Sequence, residues 1–210
     1  MNGNPNTVKF PYHHGGLKTA LMNATEEILA EKGVEGFSLR EAARRAGVSP
    51  AASAHHFSDK RGLLTAVATR AFLELVSDLS NAAARSDTAV RAVAEAYVRF
   101  AADRPARFEL MWRATLLDPD DRSYREAADQ AFAVLHRTIT GQQQLVDVPF
   151  SPESAPSLAI WSLVHGFATL LLNGVFGSDE GQVDRALTTL LPAVLDQAAT
   201  KKPAASAQEN

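Results

Sequence analysis

The chain has 210 residues, 46% of them hydrophobic, with a net charge of −3 and no cysteine. That length supports one large core or two modest ones, and the lack of thiols excludes disulfides and thiolate metal sites. The start "MNGNPNTVKF" has no apolar signal region, and the most apolar run, Leu158 to Leu172, is interrupted by Ser162, His165 and Thr169 and falls short of the roughly 20 residues of a bilayer span; a cytoplasmic protein without a membrane segment is expected.

Charge is unevenly placed. Residues 1–70 hold nine Lys/Arg against six acids, a net +3, which leaves −6 for the remainder. A basic N-terminal part joined to an acidic body points to an anionic partner for the first part only. Residues 1–11 have too few apolar groups to pack and read as a disordered arm. Leu17, Leu21, Ala24 and Ile28 then fall on one face at helical spacing, which predicts a helix over about 16–32 that Gly33 stops. Ser38 followed by Glu41 forms a capping-box pattern and opens a second helix ending at Gly47. Gly47 supplies the positive φ of a tight turn, and Ser49-Pro50 caps and starts a third helix to about Phe57. Two short helices across a glycine-containing turn have the spacing of a helix-turn-helix. The expected DNA-binding unit is 12–58, followed by a connecting helix over 59–83.

The third helix carries Ala51, Ala52, Ser53, His55 and His56, a face with nothing apolar to bury, as a helix entering a DNA groove would show. Arg40, Arg44, Arg45, Lys60 and Arg61 flank it, and Ser38 and Lys60 sit at helix N-termini that favour phosphate. The expected DNA contacts are Ser38, Arg40, Arg45, Ser49, Ala52, Ser53, His55, His56 and Lys60. The pairs His13-His14 and His55-His56 diverge by about 100° on a helix, so neither holds one metal ion as an i, i+4 pair can. Neither metal nor cofactor is expected. Nucleophile-elbow, zincin, dinucleotide and phosphate-loop motifs are all missing, and no catalytic residue is assigned.

Further helices are expected over about 87–102, 105–111, 121–143, 153–176 and 180–199, divided by Pro105, the "DPDD" turn at 118–121 and "VPFSPESAP" at 148–156, with Pro192 bending the last. Residues 84–199 form the C-terminal body and 200–210 a disordered tail. Phe100, Phe108, Met111, Trp112, Phe132, His136, Trp161 and His165 gather in the middle, either as ordinary core or as a mostly apolar ligand pocket with a few polar groups. Ser162, His165, Thr169 and Asn173 make one polar stripe on an apolar helix. The two long C-terminal helices suggest a four-helix homodimer interface built from Gly166, Leu170, Leu187, Leu191 and Val194.

The run "FSLREAARRAGVSPAASAHHFSDKRGLLTAVATRAF" resembles the DNA-binding domain of the TetR family of transcriptional regulators, and "YHHGGLKTALMNATEEILAEKG" is similar to the arm and first helix of many members. "WSLVHGFATLLLNG" carries Trp161, His165 and Gly166 in the W-x-x-x-H-G pattern of the tryptophan-histidine-glycine type of C-terminal domain. The resemblance implies an all-α protein of about nine helices, a repressor that binds a palindromic operator in double-stranded DNA as a homodimer and answers to a small-molecule effector. Ligand-independent DNA binding and control by a protein partner are the alternatives. Where the family usually has a phosphate-contacting tyrosine, this chain has Ala54, and that contact is either lost or passed to His55.

Overall fold

The computed structural model describes residues 14–49, 55–141, 152–177, 179 and 181–200. The expected arm, residues 50–54 with Ala52 and Ser53, residues 142–151, and most of the tail lie outside the described residues. Regular structure among the described residues is helical throughout.

Helix α1 (His14–Lys32) buries Leu21, Ile28 and Leu29, and Gly33, at φ +68°, ends it. Helix α2 (Leu39–Arg45) starts at Ser38, but the serine hydroxyl makes no capping bond. The predicted capping box is therefore absent. Glu41 instead takes Lys32 at 2.7 Å and Arg45 at 2.8 Å, because two charge-assisted bonds outcompete one reach back to a backbone N–H. The helix closes in a Schellman turn: Gly47 N–H donates to Arg44 O, Val48 N–H donates to Ala43 O, and Gly47 sits at φ +65°.

Helix α3 (Lys60–Ala84) is capped by Asp59, which accepts from Gly62 N–H at 2.8 Å. It serves two cores in succession. Leu63, Leu64, Val67 and Ala68 close a small core with Leu21, Ile28, Phe37 and Phe57; Ala71, Phe72, Leu75 and Leu79 open a larger one. Leu110 and Leu117, from the body, complete the small core. Helices α4 (Ala89–Asp103) and α5 (Pro105–Met111) follow, Pro105 opening α5 where its missing N–H is harmless. A 3₁₀ turn over Ala114–Leu116 follows, which the sequence pattern does not predict. Helix α6 (Arg122–Thr140) ends earlier than predicted because Gly141 turns left-handed at φ +70°.

Helix α7 (Ala155–Leu172) stops four residues short of expectation, before Gly174 at φ +72°. With the preceding turn it makes a 21-residue apolar stretch, Pro152–Leu172, long enough by length and composition to cross a bilayer, which corrects the shorter run read from Leu158. Its Val164, Phe167, Ala168 and Leu171 pack in the large core, as in a bundle helix. The expected last helix runs without a break from Gln182 to Thr200, but as α8 (Gln182–Arg185), a wide π turn over Ala186–Leu190 and α9 (Leu191–Thr200). The π turn precedes Pro192, which has no N–H to give the Thr188 carbonyl.

Candidate nucleic-acid interface and ligand cavity

Arg40 and Arg44 lie one turn apart on α2 and are exposed, and among the described residues neither meets a carboxylate. Arg45, one position on, is held between Glu31 (2.6 Å) and Glu41 (2.8 Å). The bond from Arg45 holds Glu31 below the usual carboxylate range; Lys32 first, then Arg45, do the same to Glu41. Ser38 and Ser49 are exposed. His55 is exposed and His56 half-buried, with their rings 5.6 Å apart edge to face. Beside them Phe57 is buried, anchoring the end of the recognition segment. Lys60 donates to the Phe37 carbonyl at 3.2 Å and lies over its ring. Arg44, which the sequence reading left off the contact set, thus shares an open cationic face with Arg40.

The body contains an inner apolar cavity of about 60 Å³. It is walled by Phe72 and Leu75 of α3, Tyr97 of α4, Trp112 after α5, Phe132 of α6 and Trp161 of α7. Of the expected pocket residues, Trp112, Phe132 and Trp161 line it. Phe108 and His165 instead border an outer groove, again with Trp112. Phe100 lies under the Arg104 guanidinium and faces a separate surface recess. Met111 is core, and its carbonyl accepts from the Tyr124 hydroxyl. His136 is buried against Ser157 (2.9 Å) and stacked on Phe132. The aliphatic and Tyr97 lining was missed because alternation with core positions leaves no separate periodic signal.

Trp161 N–H is directed at the Tyr97 hydroxyl oxygen at 3.4 Å, and that hydroxyl is 2.9 Å from His165 Nδ1. Burial pushes the Tyr97 phenol up and the His165 imidazole down. Both are therefore neutral near pH 7, and the relay runs consistently if Tyr97 O–H donates to an unprotonated Nδ1. Between the lowered folded value and the ordinary one near 6.5, the unfolded chain binds more protons than the folded chain. The stability tied to this group is full above that ordinary value and falls as pH drops toward the folded value. The urea midpoint should decline as the pH falls below the ordinary imidazole value near 6.5, and His165→Gln should flatten that slope; an unchanged slope in the variant would reject the assignment.

At the expected dimer face, Leu170 is 46% and Val194 37% exposed, joined by Leu190 at 39%. Leu187 and Leu191, expected there, are instead buried in the chain's own core at 3% and 0%. The last helical segment has two apolar faces, and periodicity alone does not say which turns inward.

Residues 21–67 match the family described as bacterial regulatory proteins, tetR family, and residues 90–194 match the tetracyclin repressor-like C-terminal domain. The chain belongs to the TetR family. The C-terminal match includes Trp161, His165 and Gly166. The chain is similar to the uncharacterized HTH-type transcriptional regulator YobS of Bacillus subtilis (strain 168), 25% identical over 171 residues that cover 79% of this chain and 84% of that one. Among solved structures it resembles a protein of unknown function from Rhodococcus sp. RHA1, at TM-score 0.72 and 32% identity, covering 90% of this chain and 98% of the other. A TetR family transcription regulator from Marinobacter aquaeolei VT8 shares the fold at TM-score 0.59 and 19% identity, with 85% and 95% covered. The TetR assignment makes the protein a transcriptional regulator with an N-terminal helix-turn-helix DNA-binding domain and a C-terminal helical body.

Proposed function

We propose that the protein is a cytoplasmic, ligand-responsive TetR-type repressor that binds a palindromic operator as a homodimer and performs no catalysis. The open cationic face of Arg40 and Arg44, beside His55 and Lys60, carries this reading: phosphate contacts position a protein and exposed polar side chains on the neighbouring segment read bases. In this arrangement Arg45 braces α2 on α1 and leaves phosphate binding to its neighbours. Selection from random duplexes should return a palindrome, and equal affinity for all sequences would reject the proposal. His55→Ala should relax one position of the consensus. Replacing Arg40 and Arg44 with glutamine should shallow the plot of log affinity against log salt by about two per protomer. Arg45→Gln should leave that slope nearly unchanged.

Helix α5 suits the role of coupling element. On one side it carries Phe108 and leads to Trp112, which border the ligand spaces. On the other, Arg107 pairs with Glu26 of α1 and with Glu74 of α3 at 2.5 Å. Glu26 also holds Arg70 of α3 at 2.7 Å. An effector that shifts α5 therefore pulls on the first helix of the DNA-binding unit as well as on the connecting helix. Couplings of this kind are worth about 1–3 kcal/mol. Glu26→Gln should keep operator binding within about threefold, a change under 1 kcal/mol, while reducing the effector's influence on it, read by titrating labelled operator with and without effector.

A further inference from the structure

We propose that the inner cavity and the outer groove are two halves of one effector site divided by Trp112, and that the site takes a neutral amphipath: a flat apolar body bearing a hydrogen-bond acceptor. The inference rests on the ligand-responsive reading above and adds the ligand's chemistry and the route by which it reaches α1.

The cavity by itself is too small. Its volume of about 60 Å³ is below the roughly 150 Å³ that accommodates benzene, and the hydroxyl of its one phenol is turned to His165 and Trp161. The groove, of about 600 Å³, is within the size range of small-molecule sites. It runs between Leu29 and Ala30 of α1, with Gly33 just after it, and His165 and Thr169 of α7, with Asn173 just after it.

Trp112 borders both spaces. Ring contacts hold it, to Phe72 at 5.4 Å, Trp161 at 5.5 Å and His165 at 4.9 Å. Its indole N–H is buried with no hydrogen-bond partner among the described residues, a condition folded proteins seldom leave unmet. Displacing the ring merges the two spaces and frees that N–H for an acceptor on the ligand. Charge selects a neutral molecule, because the groove's Glu109 and Arg113 neutralise each other at 2.6 Å. A ligand seated across the partition touches α1 directly and parts it from α5.

The test uses Nile red, a flat neutral dye with a carbonyl acceptor, and pyrene, which has none, on the full chain. Nile red should bind and quench tryptophan emission. Ala131→Leu, which narrows the cavity, and Ala30→Trp, which fills the exposed α1 side of the groove, should each weaken it about tenfold or more, the scale of one lost favourable contact. Trp112→Phe keeps a ring but loses the N–H, and should weaken Nile red about tenfold while leaving pyrene unchanged. Thermal melts of each variant separate lost binding from lost folding. No binding of Nile red, sensitivity to only one of the two filling variants, or equal loss for both dyes in Trp112→Phe would overturn the proposal. Binding that follows the expected pattern but never changes operator affinity would leave the site standing and reject the ligand-responsive reading instead.

Discussion

Replacing Gly166 with leucine is expected to leave the protomer folded and to separate the proposed dimer, lowering operator affinity by about 10²–10⁴-fold, the usual worth of a second linked binding module. The protomer gives no reason for a glycine here. Gly166 lies inside α7, where glycine costs about 1 kcal/mol relative to alanine, its φ is not positive, and a β-carbon would meet no atom of the described residues within 4 Å. The open space in front of it continues into exposed Leu170, with Leu190 and Val194 exposed on the last helical segments. A second copy approaching along this face would use the missing side chain for close helix contact. Sedimentation velocity reads the mass and anisotropy of labelled operator reads the affinity. A Gly166→Leu protein that stayed dimeric with full affinity would rule this interface out.

Phe72→Ala is expected to be the most destabilising single truncation. The ring is 2% exposed, lies edge-on to Trp112 and Tyr124 at 5.4 and 5.8 Å, and belongs to the helix shared by both cores. Truncation at such a site costs about 3–5 kcal/mol, out of a total of about 5–15 kcal/mol for a typical protein. For a chain of this size that is a fall in melting temperature of about 6–20 °C. Because Phe72 also walls the cavity, the variant should regain part of the loss when a small apolar molecule such as benzene is added. A loss under about 1 kcal/mol would show that the surrounding helices collapse into the space.

The helix-turn-helix and the helical order of the body were legible in the sequence because glycines, prolines and apolar spacing act locally. Gly47 and Pro105 stand where the chain turns or starts, as their backbone chemistry requires. What was not legible depends on competition between partners far apart. Glu41 had a plausible local role at Ser38, yet Lys32 of another helix claimed it. Arg45 was a candidate phosphate ligand until Glu31 closed on it; its i, i+4 relation to Glu41 was the available warning, and Arg40 with Arg44, also four apart, lack such a partner. Leu187 and Leu191 failed as surface residues for a related reason: a stripe of leucines reports burial but not the identity of what covers it.

Leu110 and Leu117, 0% and 1% exposed, belong to the N-terminal core although they stand far along the chain. The consequence bears on chimeras. A fusion that cut after α3 and grafted the first 84 residues onto a foreign effector module would leave two leucine-sized vacancies beneath the helix-turn-helix, and each deleted leucine side chain carries a cost of about 2–5 kcal/mol. The transplantable unit is discontinuous: the reader of DNA travels with the segment from Pro105 to Leu117, and swapping sensors within this architecture means cutting around that segment.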